Sequence, residues 1–172
     1  MVNGESPSGF VGPAAKFLAC REPRRPRQAS LRRAVSTAYY ALFHLLISEA
    51  SGLVVRDDRL EAALNRVYTH AEMAKVAKAF ASGTLPKRFQ IHIPPTNVPL
   101  DLRMTAQAFV TLQQARHEAD YDIAKAFTRS DALTLIDRAE EAFSRWQSVR
   151  KEDCARLFLA SFLAWDRLDK AP

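Results

Sequence analysis

The chain has 172 residues, 48% of them hydrophobic, which suits one domain with a buried core and excludes a disordered chain. Only five glycines occur, too few for the turns of a strand-rich fold, and no apolar run has the length or purity of a membrane span; the longest in the C-terminal third is Leu157 to Trp165. The net charge of +6 is concentrated: between Lys16 and Arg33 seven basic residues (Lys16, Arg21, Arg24, Arg25, Arg27, Arg32 and Arg33) face Glu22 alone, so the rest of the chain sums to zero.

The N-terminus lacks a charged start followed by a clean apolar stretch, so it reads as no secretion signal, and residues 1–12 are expected to be flexible. A short first helix is predicted from Pro13 to Arg21, with Pro13 in its first turn, where the missing N–H costs nothing. Pro23 and Pro26 break it. The second helix is predicted from about Gln28 to Ala50, stopping near Ser51-Gly52; Leu31, Val35, Ala38, Leu42 and Leu45 form its stripe, widened by Tyr39, Phe43, Leu46 and Ile47. A helix apolar over so much of its circumference belongs in the centre of the fold.

A third helix is predicted from Asp58 to Ala81, capped by Asp57 or Asp58, with Leu60, Leu64, Val67, Ala71 and Ala74 facing inward and Ser82-Gly83 ending it. Pro86, Pro94, Pro95 and Pro99 then exclude regular helix from Thr84 to Pro99, a long loop made basic and partly aromatic by Lys87, Arg88, Phe89 and His92; a strand over Phe89–Ile93 has no obvious partner. The fourth helix is predicted from Leu100 to about Tyr121, on the stripe Leu102, Phe109 and Arg116. The fifth starts at Thr128 or Ser130, both good caps, and runs to Val149. A last helix, about Asp153 to Leu168, is apolar nearly all round, so its outer side meets either the rest of the bundle or a second copy. The sum is an all-α antiparallel (up-and-down) four- to five-helix bundle, with a short first helix and an additional C-terminal helix, in a single domain over 1–172.

On the second helix Arg33, Thr37, Tyr40 and His44 form a polar ribbon on an apolar cylinder. Arg116 occupies an inward stripe position and has Asp120 one turn on as its natural counter-ion. Arg33, Ser36, Tyr40, His44, Arg116, Asp120 and Tyr121 are therefore expected to form one polar cluster. It serves either as a site, with His44 as general base and Arg116 holding a phosphate, or as a buried network that fixes how two helices pack. Arg21, Arg24, Arg25, Arg27 and Arg32 are the candidate nucleic-acid contacts, against the alternative of a solvated basic loop; no aromatic residue is interleaved among them to stack bases. His70, Glu72 and His92 have no metal-ligand rhythm, no metal or cofactor is expected, and Cys20 and Cys154 are expected to be unpaired thiols in a reducing cytoplasm.

The stretch Arg24 to Leu46, RRPRQASLRRAVSTAYYALFHLL, resembles the signature helix of HEPN proteins, and RHEADYD (Arg116 to Asp122) resembles that family's second landmark. The resemblance runs in order from about Ala15 to Val149. It implies a four- to five-helix bundle, commonly dimeric, of a kind linked to toxin–antitoxin pairs with nucleotidyltransferases, to defence systems and to RNA cleavage. Ribonuclease members carry an Arg followed at a set distance by His. Here Arg66 and His70 are one residue too close, as are Arg88 and His92; Arg116 and His117 are adjacent, and no Arg precedes His44 at that distance. The expectation is a cytoplasmic, homodimeric, HEPN-like component of a toxin–antitoxin or defence system that meets RNA or other nucleic acid without the standard catalytic pair. The alternatives are a nonenzymatic dimeric module partnering a nucleotidyltransferase and, last, a metal-independent ribonuclease using His44 and Arg116.

Overall fold

The computed structural model describes residues 8–83, 85, 89 and 98–170, with side chains from Gly12 to Asp166. Among these residues the chain is all helix: α1 (Ser8–Cys20), α2 (Gln28–Val54), α3 (Asp58–Leu64), α4 (His70–Ala81), α5 (Leu100–Tyr121), α6 (Arg129–Val149) and α7 (Asp153–Lys170). No helix among them is long and apolar enough to cross a membrane. The long α2 is the axis, packed against α1, α3, α5, α6 and α7, while α4 closes the other side against α5 and α7. Its interior positions Leu31, Val35, Tyr39, Leu42 and Leu46 meet Phe109 and Leu112 of α5, Trp146 of α6 and Phe158 of α7 in one core.

The ends of α5 and α6 fall where the residues predict. Thr128 caps α6 through a reciprocal box with Asp131, each side chain accepting the other's backbone N–H. At the end of α4, Gly83 takes the left-handed conformation (φ 81°) that ends a helix at low cost. The Val98 N–H then donates to the Gly83 carbonyl (3.3 Å), joining the two ends of the proline-rich stretch. Apart from Phe89, the expected strand and the loop's Lys87, Arg88 and His92 lie outside the described residues. Phe89 is buried and stacks on Trp165. The last helix covers its apolar side within the chain, burying Phe158, Leu159 and Phe162 against α2 and α4.

Three expectations change. The second helix does not stop at Ser51-Gly52 but runs through them to Val54. The first helix starts at Ser8 rather than Pro13, so residues 8–12, expected to be flexible, are helical. The helix packs on α6: at Gly12 a Cβ would come 2.0 Å from the Glu140 carboxylate, and Lys16 one turn on pairs with the same Glu140 at 2.7 Å. The predicted third helix is two helices. Asp57 caps α3, Ser51 of α2 donates to the Asn65 side chain at the end of α3 (2.6 Å), and Thr69 caps a fresh helix by accepting from the Glu72 N–H. The break resets the helical phase. Leu60, Val67 and Ala71 turn outward, while Ala74 faces inward as expected and α4 buries Met73, Val76, Ala77 and Phe80 beside it.

This reassignment is open to a direct check. Met73→Ala should cost about 2–5 kcal/mol in urea unfolding, whereas Val67→Ser, at a side chain 56% exposed, should move stability by no more than about 0.5 kcal/mol. Equal losses for the two would restore a continuous helix with Val67 inside.

Candidate functional site

Ser36, Tyr40 and His44 stand one turn apart on α2, and Arg116 and Asp120 one turn apart on the antiparallel α5. The two rows meet. The Arg116 Nη2 donates to the Tyr40 hydroxyl (2.8 Å), and the Arg116 Nε lies 2.6 Å from Asp120 Oδ2 as a charge contact whose N–H is not aligned for a hydrogen bond. Ser36 Oγ donates to the other Asp120 oxygen (2.8 Å). The guanidinium also lies 5.4 Å from the Tyr40 ring centre and 5.6 Å from that of Tyr121. Arg116 is 16% exposed; burial works against its charge, but Tyr40, Asp120 and Tyr121 outweigh it and hold the guanidinium protonated.

His44 is exposed rather than interior, its ring stacked on Tyr40 at 6.1 Å. Tyr121, 64% exposed, pairs with the exposed ring of His117 at 5.0 Å. Of the expected cluster only Arg33 stands apart, exposed and without a side-chain hydrogen bond or ion pair among the described residues.

Behind this cluster lies a residue to which the sequence, lacking a metal-ligand rhythm there, assigned no role. His70 is half-buried at the first turn of α4, its Nδ1 2.6 Å from the Tyr39 hydroxyl and its ring 4.4 Å from that of Phe43. Burial keeps the Tyr39 hydroxyl protonated far beyond its ordinary range, and the tautomer of the imidazole sets which of the two groups donates. The His70 carbonyl accepts from Gln113 of α5 (2.6 Å), so one residue ties α4 to both α2 and α5. The Thr-His-Ala-Glu run at 69–72, a capping-box signature, marks this helix start in the sequence.

The basic segment divides. Arg21, Arg24, Arg25 and Arg27 are exposed, and their guanidiniums make no hydrogen bond or ion pair among the described residues. Arg32 does not belong with them. Its Nη1 donates to the carbonyls of Glu118 (3.3 Å) and Ala119 (2.7 Å), and its Nη2 to those of Asp122 (2.8 Å), Ile123 (3.3 Å) and Lys125. A helix end leaves carbonyls without partners and carries partial negative charge, and a guanidinium satisfies both needs. Arg129 does the same for α1, donating to Ala19, Glu22 and Pro23, and the Gln28 side chain holds both backbone groups of Phe127 (2.8 and 2.9 Å).

Among the described residues no group of three or more His, Cys, Asp and Glu could hold a metal ion. Cys20 is exposed and Cys154 buried, both as free thiols. A groove of about 420 Å³, lined by Ala38, Ala41, Ile136 and Phe143 together with the polar Glu140, Ser144 and Gln147, lies across α2 from the polar cluster.

Removing the α5 clamp with Arg32→Ala should cost about 2–3 kcal/mol, because hydrogen bonds from a charged donor are lost together, while Arg24→Ala should change stability by less than about 0.5 kcal/mol. Comparable unfolding midpoints for the two would return Arg32 to the free basic set.

Burial, with the charges of Arg116 and His44 adding to it, holds the His70 imidazole below its ordinary value. The folded state then binds protons less readily than the unfolded chain. Stability is whole above the unfolded value of about 6.5 and falls as the pH drops through it. Denaturant midpoints measured from about pH 7.5 down to about pH 5 should fall, and less steeply in His70→Gln; the same slope in both would mean other groups carry it.

Compared with known proteins, the chain matches no family model, no curated protein and no solved structure, and the HEPN resemblance rests on the motif residues themselves.

Proposed function

We propose that this chain is a HEPN-like helical protein that associates with nucleic acid, as a component of a toxin–antitoxin or defence system, without the standard Arg/His ribonuclease pair. The observation that most supports this reading is the meeting of its two motif segments at Arg116. Residues 36–44 and 116–121 are far apart in the chain yet form one half-open polar cluster with a guanidinium at its centre. Beside it, the exposed Arg21, Arg24, Arg25 and Arg27 supply charge for phosphates that no protein acid neutralises by direct contact among the described residues.

A second reading, a dimeric module that partners a nucleotidyltransferase, is favoured by Ile123. It is 95% exposed on a loop that Arg32 and Gln28 hold in place. A rigid apolar tip of this kind suits a protein partner, since little order is lost when it docks.

If the four loop arginines meet phosphates, binding to RNA should weaken roughly 50-fold between about 50 and about 200 mM monovalent salt. The combined Arg21→Ala, Arg24→Ala, Arg25→Ala and Arg27→Ala variant should flatten that dependence. Absence of binding at low salt, or binding indifferent to salt, would defeat the nucleic-acid reading. RNA fragmentation that disappears in His44→Ala would instead make the protein a ribonuclease.

A further inference from the structure

The loop arginines have no aromatic residues among them, but the fold supplies rings from elsewhere. Two ring pairs flank the Arg116 guanidinium: Tyr40 with His44 on α2, stacked at an interplanar angle of 27°, and His117 with Tyr121 on α5. His44, His117 and Tyr121 are exposed and Tyr40 is half-buried, so ring surface is offered to solvent on both sides of the seam. Among the described residues no hydrogen bond is made by the Arg116 Nη1, and the side chain keeps 16% of its surface open to solvent, which leaves one guanidinium edge for a ligand. Arg33 stands at the same end of the seam as Tyr121, because α2 and α5 run antiparallel and Arg32, its neighbour, holds the carbonyls around Tyr121. Arg27, which precedes the first residue of α2, is six residues from Arg33, about 9 Å along the axis. The basic loop therefore opens onto this end of the seam.

The charge within the seam is small. Asp120 offsets Arg116, and Arg33 is the remaining fixed cation among the residues named. A site of this kind cannot bind phosphates tightly by charge alone, and its ring faces are useful only to a flat partner. Bases in a duplex hide their faces in the stack; unpaired bases offer them.

We infer that the seam between α2 and α5 takes an unpaired nucleic-acid strand, with bases stacked on Tyr121–His117 and Tyr40–His44 and the backbone passing Arg116 and Arg33 toward the basic loop. This rests on the nucleic-acid reading above and adds the strandedness and the mode of contact. Stacking is indifferent to base identity, so the seam accepts any sequence that is single-stranded.

The test uses the full chain, a short oligouridylate carrying one 2-aminopurine, and an RNA duplex of matched length. Wild-type protein should quench the 2-aminopurine and bind the single strand more tightly than the duplex at equal salt. Tyr121→Ala, at an exposed position that leaves the core alone, should weaken single-strand binding by about 5- to 150-fold. It should do so without altering the salt dependence, and Tyr121→Phe should bind like wild type. Single-strand binding unchanged in Tyr121→Ala, or a duplex held as tightly as the single strand, would overturn the inference. The nucleic-acid reading would still stand if removing the loop arginines weakened binding. No binding of either RNA at low salt would remove both.

Discussion

A guanidinium at the α2–α5 seam sets how these two helices lie against each other. Arg116 sits on the same helical stripe as the buried Leu102 and Phe109, where a charge without partners would be costly. It is met by Asp120 one turn on and by Tyr40 across the seam, while Ser36 holds the far carboxylate oxygen. The pairing forms two rungs, Ser36 with Asp120 and Tyr40 with Arg116, each one turn apart on antiparallel helices. Sliding either helix by one turn would break both rungs and leave Arg116 opposite Ser36 or His44, with only its own-helix partner Asp120 kept. Leucines on the same stripes would pack in several registers; this polar pair accepts one. The rings and polar groups of the site hold their relative places because the register is fixed.

The rest of the molecule guards that register from outside. His70 bonds to Tyr39 through its ring and to Gln113 through its carbonyl, so α4 is tied to the two helices that form the seam. At the seam's other end, Arg32 gathers the carbonyls that finish α5 and begin the following turn, and Gln28 fixes Phe127 beyond it. Tyr121 lies between these clamps. It is therefore an exposed aromatic residue on backbone held from both sides, a setting in which a ligand meets a ring already in place.

Much of this was legible in the residues. The period of apolar positions gave α2, α5 and α6 and the ends of the latter two, and the stripe position of Arg116 with Asp120 one turn away foretold the ion pair. What escaped was decided by phase and by distant contacts. Leu60 and Val67 keep an apolar spacing with Ala74 and imitate one helix face, and only the caps at Asn65 and Thr69 show that the face is interrupted. His70 was lost with that break, although the Thr69–Glu72 spacing carried the signal. For Arg32 no local signal exists: it is one arginine in a run of arginines, and what singles it out is the end of a helix nearly ninety residues away. The buried-network alternative placed His44 inside, but at this point of α2 the core turns away from the ribbon and leaves the imidazole in solvent.

The fates of the arginines decide what the net charge of +6 can do. Arg32 and Arg129 hold carbonyls, and Arg116 is offset by Asp120, so none of the three offers its full charge to a partner. Among the described residues the side chains of Arg21, Arg24, Arg25 and Arg27 make no hydrogen bond or ion pair, with Glu22 the acid whose charge Arg27 and Arg21 feel, and they stand on a short loop whose shape Arg129 and Glu22 maintain through its backbone. The positive field is thus local to one end of the α2–α5 seam, while the seam itself is close to neutral and rich in rings. Charge of this kind acts at a distance and fades with salt, whereas ring contacts act only on touch and scarcely respond to it. On the proposed reading the two would belong to different stages of one encounter: the loop would raise the local concentration of an anionic chain, and the seam would discriminate by whether that chain can present flat, unpaired faces.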